Sequence, residues 1–81
     1  MEKEIKKYLN WFWHNVNYAH RQDLEIGDYK IKVIQNVYDY ISALIVYVYK
    51  GDDYCKYIKR IDVNKISKTK ETVEEICTII K

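Results

Sequence analysis

Glycine occurs only twice in this chain, as Gly27 and Gly51, and proline does not occur at all. With so few chain-breaking positions, 81 residues leave little material for linkers, low-complexity tails or long loops. The reversals must fall at a few polar places, with ordered segments running between them. Gly27-Asp28 marks one reversal, ahead of Tyr29, Ile31 and Val33 alternating with Lys30 and Lys32, the two-residue period of a half-buried strand. Lys50-Gly51-Asp52-Asp53 marks another, where glycine supplies the positive φ of a hairpin turn.

These punctuation marks predict an α+β domain, a three-stranded antiparallel meander flanked by N-terminal and C-terminal helices in the order α-β-β-β-α. The strands are read over Tyr29 to about Val37, Ser42 to Lys50, and Tyr54 to Val63. Val37, Tyr40, Ile41, Leu44, Ile45 and Val48 also fit helical spacing. Strand is preferred because Val46, Tyr47, Val48 and Tyr49 are β-branched or aromatic, lose χ1 freedom against a preceding helical turn, and adjoin the hairpin signal.

The first helix is read from Glu2 to His20, with Glu2 and Glu4 at the positive end of its dipole. Ile5, Tyr8, Leu9, Phe12, Val16 and Ala19 recur at three- and four-residue steps and form one core stripe. Lys7, Trp11, His14 and Tyr18 form a second row on roughly the opposite side, where a surface helix is normally charged. Leaving a Trp and a Tyr bare forgoes about 1.5 to 3 kcal/mol each, so something is expected to cover them. In the last helix, Ser67 or Thr69 is a candidate cap, Glu71, Glu74 and Glu75 sit early, and Val73, Ile76, Cys77 and Ile80 share one face.

The central strand shows the same surplus. Ala43, Ile45, Tyr47 and Tyr49 fall on one face and Leu44, Val46 and Val48 on the other. If two short helices cover one face, the second, with Tyr47, Tyr49, Tyr57, Lys30, Lys32 and Lys59 by strand alternation, is partly open or covered by another subunit. Self-association, or helices wrapping opposite faces of the sheet, would each satisfy this excess.

A chain of this length buries only about 60% of its unfolded surface and supports one core, so residues 1–81 are read as one compact domain. Its longest nearly apolar run, Ile41 to Tyr49, is far short of the roughly 20 residues of a membrane span. Met1 to Lys7 leads into an amphipathic pattern and not a secretory signal. Net charge is +2, too small to imply a polyanion partner, although Lys56, Lys59, Arg60, Lys65, Lys68 and Lys70 face only Asp62 between residues 56 and 70.

Twelve Ile, twelve Lys, nine Tyr and five Asn are all served by A/T-rich codons. This composition, with runs such as Ile45-Val46-Tyr47-Val48-Tyr49-Lys50, resembles that of accessory proteins of viruses of hyperthermophilic archaea and of phages of low-GC bacteria. The lack of a signal pattern and of a membrane-length run predicts a soluble protein, intracellular (host cytoplasm) or virion-associated, and the resemblance implies that its target is a host or defence factor.

Chemistry-bearing residues are few: two His, two Cys and two Ser, with no arrangement of nucleophile and base. His14 and His20 point different ways on one helix, with no Cys or carboxylate at a metal-finger spacing. Cys77 belongs to a core stripe, so packing explains it better than a disulfide to Cys55. No Gly-rich phosphate loop exists. No catalysis, cofactor, metal or membrane insertion is expected. The leading expectation is a non-catalytic protein-binding protein, a homodimer, whose partner surface is Trp11, His14 and Tyr18 or the face of Tyr47, Tyr49 and Tyr57. The alternative is nucleic-acid binding through Lys30, Lys32, Lys56, Lys59, Arg60 and Lys65 interleaved with the tyrosines.

Overall fold

The structure, a computed structural model, describes residues 1–15, 21–38, 41–51 and 57–80. Helix α1 (Glu2–His14) is followed by strands β1 (Leu24–Ile26), β2 (Tyr29–Tyr38), β3 (Ile41–Lys50) and β4 (Tyr57–Val63), a 3-10 turn over Ile66–Lys68, and helix α2 (Thr69–Ile80). The four strands form one antiparallel sheet in the order β1-β2-β3-β4. The class is α+β, and the meander has four strands where three were expected. The additional strand, β1, is too short for a two-residue period to register. Its signal was the turn itself: Ile26 pairs with Tyr29 across Gly27-Asp28, and Gly27 adopts φ +57°, which glycine takes without the steric cost that a Cβ brings.

Two helix boundaries also differ from expectation. Helix α1 closes at His14 and not His20, with Asn15 at φ −125° and ψ 68°. Its last carbonyls are taken by side chains, since His14 Nδ1 donates to Asn10 O at 2.8 Å and Asn15 Nδ2 to Trp11 O at 2.7 Å, local bonds that compete with further helix. Val16, Tyr18, Ala19 and His20 lie outside the described residues. At the other end, Thr69 already has helical angles and Ser67 sits within the 3-10 turn, so Thr69 is the first residue of α2 and not its cap.

The core follows from the two periodicities. Ile5, Tyr8, Leu9 and Phe12 of α1 meet Val73, Ile76 and Cys77 of α2 and the sheet residues Ile31, Leu44, Val46, Val48, Ile61 and Val63 in one buried cluster. Directly paired residues of an antiparallel sheet point the same way, and Ile31↔Val48, Leu44↔Val63 and Val46↔Ile61 are pairs. All six sheet residues therefore project from one face, and both helices pack there. Gln35 on the same face donates from Nε2 to Phe12 O at 3.1 Å, tying β2 to the end of α1. The opposite-face arrangement of the helices does not occur. Cys77 is a free, buried thiol, and Cys55 lies outside the described residues.

Candidate functional site

With both helices on one side, strand alternation leaves the other side of the sheet uncovered by any described element. Its rows follow from the register. Glu25 pairs with Lys30, Lys30 with Tyr49, and Tyr49 with Tyr57; Lys32 pairs with Tyr47 and Tyr47 with Arg60; Ile34 pairs with Ile45 and Ile45 with Asp62. Tyrosines thus run along the central strand between a lysine strand and an arginine strand.

The tyrosines touch one another. Tyr47 lies near-parallel to Tyr49 with centroids 6.1 Å apart, and meets Tyr57 edge-on at 5.3 Å, geometries that suit the ring quadrupole. The Arg60 guanidinium carbon is 5.9 Å from the Tyr47 centroid, within cation–π range. Arg60 Nε also donates to Asp62 Oδ1 at 3.1 Å, and this hydrogen bond, with the charge of Asp62, raises the arginine's pKa above its ordinary value. Tyr49 is only 6% exposed even on this side, whereas Tyr57 is 51% exposed and Ile34 42%. The surface therefore offers a partly filled aromatic patch with an apolar neighbour.

One expected member is absent. Simple alternation puts Lys59 beside Tyr57, but the β3–β4 register shifts between Val48 and Tyr49, so that Lys59 pairs with Val48 and Tyr57 with Tyr49. Ile58 is the extra residue of a bulge. Lys59 consequently projects to the helix side, where its Nζ lies 3.6 Å from Glu75 Oε1 of α2, and Arg60 takes its place among the tyrosines. Such a bulge leaves no mark in a hydrophobic pattern. Of the remaining basic candidates, Lys65 is exposed beyond the end of β4 and Lys56 lies outside the described residues.

The second row on helix one is organised differently. Trp11 is half-buried, edge-on to Phe12 at 5.0 Å, and the Arg21 guanidinium carbon sits 5.2 Å over its ring and 5.3 Å over that of Tyr8. Arg21, which no periodic pattern in the sequence marks, thus covers part of the stripe from within the same chain. Lys7 and His14 are exposed, and Tyr18 lies outside the described residues. Trp11 and His14 are not joined to Tyr47, Tyr49 and Tyr57 in one surface, because α1 packs on the opposite side of the sheet.

Among the described residues no group of three or more His, Cys, Asp or Glu side chains is arranged to hold a metal ion, and no helix is long and apolar enough to cross a membrane. A polar depression lined by Glu25, Gly27, Asp28, Lys30 and Gly51 lies at the turn end of the sheet. No protein-family model matches the chain, and comparisons with curated proteins and with solved structures likewise give no match.

Proposed function

We propose that this protein acts without catalysis, as a homodimer that binds another protein through the uncovered sheet face centred on Tyr47. The observation that carries this reading is the contact among Tyr47, Tyr49, Tyr57 and Arg60 on a face that no described element covers. Tyrosine and arginine bring large contact area and directional donors, and both are enriched where binding energy concentrates. Extents of 35 × 24 × 17 Å limit any one face to roughly 800 Å², which is the size of one side of a standard protein interface.

The charges of the face favour a protein over a polyanion. Lys30 Nζ lies 3.8 Å from Glu25 Oε1, and Arg60 is bonded to Asp62, so both of these cations have a carboxylate beside them. A nucleic-acid platform instead needs uncompensated cations along the strand's path, and the turning of Lys59 toward α2 removes one of those the alternative relied on. The compositional resemblance to viral accessory proteins supports a host or defence factor as the partner, met in the host cytoplasm or in the virion.

The test is comparative capture from host extract by immobilised wild type, by a Tyr47→Ser/Tyr57→Ser variant and by Trp11→Ala. A protein retained by wild type and Trp11→Ala, lost by the tyrosine variant and insensitive to nuclease is the expected result. Nuclease-sensitive capture, or oligothymidylate binding that weakens steeply with salt, would overturn the reading in favour of nucleic acid.

A further inference from the structure

Strand β4, seven residues long, ends the sheet on one side, and the outward-pointing backbone donors and acceptors of its alternate residues have no further described strand to pair with. Edges of this kind are templates for another strand. Residues 57–60 are all exposed, Tyr57 and Ile58 at 51% and 49%, and Ile66, just past the strand's end, is 56% exposed. Apolar surface therefore lies at both ends of this edge, with the Arg60–Asp62 pair between them.

We infer that β4 pairs antiparallel with β4 of a second copy, centred on Ile61, to give one continuous eight-stranded sheet. The inference rests on the homodimer part of the proposed function and adds where the dimer forms. Three elementary arguments select this register. A two-fold axis normal to the sheet keeps the helix-covered sides together, so only shifts that match inward with inward residues are allowed. Centring on Arg60 sets two guanidinium groups opposite each other, and centring on Asp62 does the same with two carboxylates; like charges directly opposed are destabilising. Centring on Ile61 sets each Arg60 opposite Asp62 of the second copy, twice by symmetry, and makes four alternating charges of two existing pairs.

The same register places Ile61 against its own copy on the helix side, where each is already part of the core. Antiparallel pairing also brings the apolar start of one β4 beside the region of Ile66 in the other copy. Face-to-face packing of two sheets fits less well: Lys30 and Lys32 stand directly across from Tyr49 and Tyr47, and such packing would bury lysines of both copies together. Edge pairing leaves both tyrosine faces on the same side of the joined sheet, available to a partner.

The experiment is charge reversal with rescue, read as mass in solution by light scattering. Arg60→Asp and Asp62→Arg each oppose like charges at both symmetric positions, and each is expected to weaken dimerisation on the order of a hundredfold. An equimolar mixture of the two restores opposite charges at both positions and is expected to form a heterodimer, as the doubly reversed Arg60→Asp/Asp62→Arg chain is expected to form a homodimer. Tyr47→Ser is expected to remain a dimer. A wild-type dimer indifferent to either reversal, or a mixture that stays monomeric, overturns the β4 seam while leaving the homodimer standing. A Tyr47→Ser monomer overturns the seam in favour of face packing. A monomeric wild type overturns both this inference and the homodimer.

Discussion

Tyr8 of α1 donates its hydroxyl hydrogen to Gln22 O at 2.9 Å, fourteen residues along the chain, while Arg21 lies over the same ring. The bond fastens the segment ahead of β1 to the helix. Burial, and after it the charge of Asp23, push the Tyr8 phenol from its usual 10.0 up to about 12. The folded state therefore holds this proton more tightly than the unfolded chain does. Its contribution is complete below the unfolded value of 10.0 and is lost as pH rises through about 12, on the order of 2 kcal/mol in all. Urea midpoints measured across this alkaline window should fall more steeply for wild type than for Tyr8→Phe. Parallel curves would show that Tyr8 ionises as freely folded as unfolded.

The two faces of the sheet should respond unequally to truncation. Leu44 is fully buried beneath the helices, and Leu44→Ala removes packed atoms and leaves a cavity, at a cost of about 2 to 5 kcal/mol. Ile34 lies on the uncovered side and is 42% exposed, so Ile34→Ala should cost about 1 kcal/mol or less. Chemical denaturation of both variants measures the difference. Similar losses would mean that something buries the tyrosine side as thoroughly as the helices bury the other.

Much of this architecture was legible because side-chain periodicity survives without tertiary context. Leu44, Val46 and Val48 against Ile45, Tyr47 and Tyr49 could only divide between two sides once 41–50 was a strand. What stayed illegible had no periodic signature. Strand β1 has three residues, and only the glycine of its hairpin announced it. The bulge at Ile58 exchanged Lys59 for Arg60 on the tyrosine face, because one inserted residue inverts the alternation of the residues beyond it. The end of α1 depended on side chains at His14 and Asn15 bonding backwards to Asn10 and Trp11, which no hydropathy pattern records. Nor does any pattern report that Arg21 covers Trp11, since the contact depends on where the chain travels after the helix.

That cover determines what Trp11 does. Its ring meets Phe12 edge-on and Arg21 face-on, so the Trp11 side chain is held by its own chain from two directions and should contribute to stability. Trp11→Ala removes an aromatic pair, a cation–π contact and half-buried apolar area together, for a loss of about 1 to 3 kcal/mol. Arg21→Ala should show part of that loss, because it removes only the cation over the ring. Neither change touches the uncovered sheet face or β4, so the mass in solution should stay that of wild type while the thermal midpoint falls. If Trp11→Ala instead left the midpoint unchanged and dissociated the protein, the stripe would be the association surface and the β4 edge would not.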